Sequence, residues 1–255
     1  MLVILLLQIN FGLFILIFLF CLFRNFNLNI ILVGLTYLLP LIPWWLDSAQ
    51  AERMLIVSYS NFIFGIIEVV FFTLTEKPED IRFNKAYLQQ LFGHVFPIVI
   101  ALLGMSFVSR TTLIPVGVVE LSIIVVLFTL GSTLRILSIS QLGVLRFKFN
   151  IAFREKQTLK TDQLHGYMRH PTYTSMMLVV LAYAVTTHSF YIATVGTFIA
   201  WFGFQYRIHF EEKALKDQFG EAYDNYREKT PMWFPYFKSV SYTHLRAHET
   251  REERG

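Results

Sequence analysis

The chain has 255 residues, 55% of them hydrophobic and only 16% charged, with a formal net charge of +4. That is too little charge to cover a soluble domain of this length, so the composition excludes a soluble globular protein and points to a multi-pass membrane protein. One cysteine, Cys21, cannot make an internal disulfide or a multi-cysteine zinc site, so no metal centre is expected, and the mild charge indicates no nucleic-acid partner.

A helix needs roughly 20 apolar residues to cross a bilayer. In chain order the apolar runs predict about seven spans, at 2–23, 28–46, 55–74, 88–108, 113–134, 174–187 and 190–206, within a range of five to eight, in an all-α polytopic bundle. No basic stretch precedes the first run, so it reads as a span and not as a cleaved signal peptide. The last two runs are short. The link between them, Thr186-Thr187-His188-Ser189, allows only a tight helical hairpin.

Charge sets the expected orientation, because basic residues stay on the cytoplasmic side. With the N-terminus out and the C-terminus in, every Lys and Arg up to residue 238 except Arg53 and Arg110 lies inside. The hairpin returns the chain to the face it left. Segments 135–173 and 207–237 are therefore expected to share one cytoplasmic face and to build one site together. Three ionisable residues fall within the spans, where such residues are costly. Glu68 and His94 lie near cytoplasmic ends and are expected to reach water. Glu120 is expected to be neutral or bonded to a neighbouring helix.

Residues 240–250 read VSYTHLRAHET and resemble the in-frame translation of a sequencing adapter. Segment 239–255, with His244 and His248, is therefore left out of the site. The remaining chain divides into N-terminal helices over 1–130 and a chemistry-bearing core over 131–238.

The polar chemistry concentrates in HGYMRHPTY, residues 165–173. Pro171 disfavours helix at His170 and is suited to start the next helix, so Arg169 and His170 sit just before a helix N-terminus. Free N–H groups, the helix dipole and these two side chains make a pocket for an anion such as a carboxylate. Tyr167 and Tyr173 offer flat faces and hydroxyls. The same composition also suits a basic membrane anchor with interfacial tyrosines. Beyond the hairpin comes YRIHFEEKALKDQFGEAYDNYREKTPMWFP, residues 206–235. Its acidic pair, Glu211 and Glu212, needs cationic company this close to a bilayer. Phe219-Gly220 interrupts the helix, and Tyr223 and Tyr226 follow at helical spacing.

GSTLRILSISQLG over 131–143, then L.T...HGY.RHP.Y over 159–173, then the apolar hairpin, then EE..L...FG..Y..Y from 211 come in an ordered set. That set resembles the isoprenylcysteine carboxyl methyltransferase family over about 131–237. Phospholipid N-methyltransferases share the acidic pair and hairpin, and membrane sterol reductases share part of the tail. The resemblance implies S-adenosylmethionine bound in a cytoplasmic pocket closed by the C-terminal helix. It implies cofactor contacts from Gly166, Tyr167, Arg169, His170, Pro171, Tyr173, Glu211 and Glu212, with Arg169 and Arg207 handling anions. One departure is Ser175, where the family often has glycine.

The implied reaction is methyl transfer from a sulfonium. A carboxylate acceptor is already ionised and needs no base, only an arginine to hold it: Arg207 first, then Arg135. An amine acceptor, as in phospholipid N-methylation, must lose a proton, and Glu211 or Glu212 is then the candidate base. The residues serve both cases. A lipophilic acceptor is expected to enter from the bilayer, with the plasma membrane of a bacterium as the expected location. A transporter would place its polar groups at mid-bilayer, and their concentration at one face disfavours it; a reductase would need more basic residues around the pocket.

Overall fold

The structure is a computed structural model that describes residues 2–42, 50–76, 83–142 and 158–235. The suspected adapter tail and the basic stretch before residue 158 lie outside these residues. Among the described residues every regular element is helical. The order is α1 (Leu2–Arg24), α2 (Leu28–Leu38) with a 3-10 turn Leu39–Leu41, α3 (Ala51–Thr75) and α4 (Lys85–Gln90). A π-helical turn, Leu91–Val95, leads into α5 (Phe96–Thr111), followed by α6 (Val118–Leu142) and a 3-10 turn Gln163–Gly166. The chain closes with α7 (Pro171–Thr186), α8 (Phe190–Phe219) and α9 (Glu221–Lys229).

Among the described residues four helical stretches are long and apolar enough to cross a membrane: Leu2–Arg24, Ala51–Thr75, Lys85–Thr111 and Val118–Leu142. Leu28–Leu41 and Pro171–Thr186 are apolar but shorter. The expected span 28–46 ends as helix at Leu41, and its last residues lie outside the described ones. Helix starts carry the signals that residue chemistry dictates. The Asn27 side chain accepts from the Ile30 amide at 2.9 Å, Pro171 opens α7, and the Ser189 hydroxyl accepts from the Ile192 amide at 3.4 Å. The hairpin turn between Thr186 and Phe190 is as tight as expected. Gly220, at φ +53°, ends α8 and turns the chain into α9, as Phe219-Gly220 indicated.

Besides α8, which continues past the expected span 190–206 into its charged part, three helices run past the limits that hydropathy set, and each overrun contains an arginine with a partner on another segment. α3 begins at Ala51 and takes in Arg53, which is 1% exposed and bonds Glu120 of α6 at 2.7 and 3.1 Å. α5 reaches Thr111 and takes in Arg110, whose guanidinium bonds the carbonyl oxygens of Pro40 and Ile42 at the end of α2. α6 starts late, after Pro115, and continues through Arg135, which is paired with Glu68 of α3. A charge with a bonded partner need not end a helix in an apolar setting.

The helices pack through small residues. A Cβ on Gly131 of α6 would lie 2.9 Å from the Ser175 carbonyl oxygen and 3.0 Å from the Val179 nitrogen. The close approach between α6 and α7 is thus made by the glycine on α6. Ser175 itself is fully buried and donates its hydroxyl to the Thr172 carbonyl at 2.5 Å, so serine fits at this close approach. The aromatic core runs through Phe14, Tyr37, Phe64 and Phe204, with Met105 and Ile208.

Candidate active site

The start of α7 and the charged part of α8 meet, as the topology requires. Arg169 donates to Glu212 Oε1 from Nε at 2.9 Å and from Nη2 at 2.8 Å. His170 Nε2 lies 3.2 Å from the same oxygen, while its Nδ1 is 3.8 Å from Glu211 Oε2. His170 therefore bridges the two acids. Tyr173 donates its hydroxyl to Glu211 Oε1 at 2.7 Å, and Arg207 Nε donates to that oxygen at 2.8 Å. Both bonds land on Oε1 and leave Oε2 facing the His170 ring.

The electrostatics follow from this pairing. Burial raises the Glu212 carboxyl, but the hydrogen bond and charge of His170 and those of Arg169 more than offset it and bring it down to about 2. Burial likewise raises Glu211, and Arg207, His170 and the Tyr173 hydroxyl hold it below the usual carboxylate range. Both acids are ionised near neutral pH. Burial is the main cause that lowers His165 to about 4, with His170 adding to it, so this ring is neutral.

One expectation is corrected. The two amides just before α7 are not left open for an external anion. Arg169 N donates to the Pro231 carbonyl at 2.8 Å and His170 N to the Met232 carbonyl at 3.1 Å. Thr174 adds a hydroxyl bond to the Trp233 carbonyl at 2.6 Å, and Arg169 Nη1 bonds the Arg227 carbonyl at 3.1 Å. Residues 230–233 form a strap across the helix start, and the anion that Arg169 meets is the carboxylate of Glu212. Backbone carbonyls satisfy those amides because a buried N–H without a partner is costly. α9 is held to the same corner by the Tyr226 hydroxyl, which donates to the His165 carbonyl at 2.6 Å. Gly166 and Tyr167 lie at the exposed edge of this corner, with Tyr167 66% exposed, while Pro171 is buried at the helix start.

Behind the cluster lies a cavity of about 90 Å³. Val33, Phe72, Val95, Ile98, Leu102 and Met176 give it apolar walls. Tyr173, Arg207 and Glu211 face it from the cluster side; Glu68, His94 and Arg135 face it from α3, the π turn and α6. Arg135 thus lines the cavity, and Glu68 grips its guanidinium at 2.7 and 2.8 Å. Glu68 is 3% exposed, so the expectation that it reaches water is overturned: the paired cation on α6 replaces the solvent. His94 bonds the Gly203 carbonyl through Nδ1 at 3.0 Å. Glu120 is bonded to a neighbouring helix, one of the two expected outcomes. Sequence reasoning missed Gln90, whose Oε1 accepts from Arg207 Nη1 at 3.1 Å, and the strap at 230–233. The spacing of Gln90 and His94, one helical turn apart, was the available signal for the first.

Comparison with known proteins agrees with the motif order. The chain is similar over 77 residues to a Schizosaccharomyces pombe protein named protein-S-isoprenylcysteine O-methyltransferase, at 32% identity. The match covers 30% of this chain and spans about a third of that relative's length, 33%. Residues 123–217, which hold α7, most of α8 and the Arg169–Glu212 cluster, match the isoprenylcysteine carboxyl methyltransferase (ICMT) family.

Proposed function

We propose that this chain is an integral membrane methyltransferase that uses S-adenosylmethionine to methylate the carboxylate of a lipophilic, isoprenylcysteine-like acceptor. The observation that carries the reading is the joining of a charged cluster to an apolar-walled cavity by Arg207 and Glu211, within the segment that matches the family. The donor set fits the cofactor. Two ionised acids suit its ammonium and ribose hydroxyls, with Tyr173 offering an aromatic face to a cation.

When bound, the cofactor supplies an electrophilic methyl on a sulfonium. Glu211 keeps Oε2 clear of Arg207 and Tyr173 and so has an oxygen for an ammonium donor. Glu212 and His170 hold Arg169 in place. Arg207, fixed by Gln90 and Glu211, holds the acceptor carboxylate at the cavity mouth. No residue needs to remove a proton, because a carboxylate is ionised at neutral pH. The residues contribute alignment and exclusion of water. Arg135 is the weaker candidate for holding the acceptor, because an incoming carboxylate must compete with Glu68. The cluster end of the bundle faces the cytoplasm in this reading, with the N-terminus on the other side. The test is transfer of a labelled methyl from S-adenosylmethionine to N-acetyl-S-farnesylcysteine by the purified protein in detergent. A base-labile ester is the expected product, and Arg207→Ala should lower the rate at least a hundredfold. Label appearing only in base-stable N-methyl lipid would sink the carboxylate assignment.

A further inference from the structure

Holding a carboxylate at Arg207 uses no group from the π turn, yet His94 lines the same cavity. The turn Leu91–Val95, with Phe96 N bonded to the Leu91 carbonyl, brings two residues one turn apart against α8. Gln90 bonds Arg207 at 3.1 Å and His94 bonds the Gly203 carbonyl at 3.0 Å, and Gly203 and Arg207 are themselves one turn apart. The contact is a two-rung ladder, and it is close. A Cβ on Gly93 would lie 2.4 Å from the Tyr206 ring, and one on Gly203 would lie 2.9 Å from the His94 carbonyl oxygen. The His94 ring also sits edge-on to Tyr173, with centroids 6.0 Å apart.

This bond determines the tautomer. A carbonyl oxygen only accepts, so Nδ1 carries the proton and Nε2 is a lone-pair acceptor. Among the described residues no group donates to Nε2. A lone pair on a ring that lines the same cavity as Arg207 repels a carboxylate oxygen and attracts an N–H. We propose that His94 is a specificity-determining residue, whose Nε2 accepts a hydrogen bond from an amide N–H that the methyl acceptor carries next to the carboxylate held by Arg207. This rests on the carboxylate reading above and assigns a residue to the N–H of its acceptor. His94 belongs to a helix outside the segment matched by the family, so the N-terminal half of the chain sets this preference.

The test compares two ligands with the same isoprenoid chain and a carboxylate: N-acetyl-S-farnesylcysteine, and S-farnesylthiopropionate, which lacks the N–H. Calorimetry in detergent reads binding of each. Wild type should bind the first about tenfold more tightly, the scale of one hydrogen bond made in a cavity. His94→Asn keeps a donor where Nδ1 stood, so the latch to Gly203 and the melting temperature should persist while the preference falls to about one. A wild-type preference near one, or a preference unchanged in His94→Asn, overturns the proposal; the second result would leave His94 a purely structural latch. Should His94→Asn fail to fold, the ¹⁵N resonance of His94 Nε2 in wild type decides. It should shift with the cysteine ligand and not with the thiopropionate, and equal responses would overturn the assignment. Labelled-methyl transfer is followed in parallel. An intact binding preference with no transfer would count against the methyltransferase reading and leave the His94 assignment standing.

Discussion

Glu68 on α3 and Arg135 on α6 face each other through two hydrogen bonds, 2.7 and 2.8 Å long, with both side chains under 5% exposed. One partner lies inside the family-matched segment and the other outside it. The pair therefore ties the N-terminal helices to the chemistry-bearing core at the cavity wall. Removing one partner leaves a buried charge uncompensated, which costs about 3–5 kcal/mol. Glu68→Ala should lower the melting temperature in detergent sharply, and Glu68→Leu combined with Arg135→Met should recover most of the loss. A double-mutant cycle measures this, and additive losses would contradict the pairing.

At the other end of α3, Arg53 bonds Glu120 and the Thr186 carbonyl, and Glu120 also meets His188 at 3.2 Å. Arg53 and Glu68 are fifteen positions apart, roughly 22 Å along a helix. Glu120→Ala should therefore cost about 3–5 kcal/mol of stability while leaving cofactor affinity in the surviving folded protein unchanged. Thermal unfolding and ligand titration on the same preparation separate the two effects. A variant that unfolds no earlier would show the cluster to be dispensable.

These two pairs explain what the sequence conceals. Hydropathy located the apolar helices, and Pro171, Ser189 and Gly220 marked real helix boundaries. The limits near Arg53, Arg110 and Arg135 were misplaced because a single sequence does not display the partner that makes a buried charge tolerable. The site was legible where its residues are close in sequence: Arg169, His170 and Tyr173 on one segment, Glu211 and Glu212 on another. It was illegible where long-range packing supplies a group, as with Gln90 on Arg207 or the 230–233 strap on α7. Backbone carbonyls that satisfy amides leave no residue-type signature.

The strap depends on the Arg169–Glu212 junction, and Glu212 titrates at about 2 against an ordinary 4.5. A depressed carboxylate stabilises the fold above its unfolded value, and that contribution is lost as pH falls through the folded one. The strap should hold at pH 5 and loosen progressively between about pH 4.5 and 2. Fluorescence of Trp233, in a variant with the other tryptophans replaced by phenylalanine, reports this. Glu212→Gln should show the loosened signal already at pH 7. A pH-independent signal in wild type would contradict the assignment.

His165 gives a second pH signature in a different window. Its folded value of about 4 lies below the ordinary 6.5, so the neutral ring is the folded form. Stability from this residue is full above about pH 6.5 and falls away as pH drops toward 4, because the unfolded chain binds the proton more readily. Protection factors from hydrogen exchange at the 163–168 turn should fall across that range. His165→Phe should flatten the dependence, while Tyr226→Phe should speed exchange at every pH by removing the bond to the His165 carbonyl.

The central claim is that the cluster formed by His170, Glu211 and Glu212 binds S-adenosylmethionine. Calorimetric titration of the purified protein in detergent with S-adenosylmethionine and with S-adenosylhomocysteine tests it most directly. Wild type should bind both, Glu211→Ala and His170→Ala should abolish binding, and a charge-neutral change at the far end, His188→Gln, should leave it intact. Absence of binding by folded wild type, or normal binding by both cluster variants, would contradict the account.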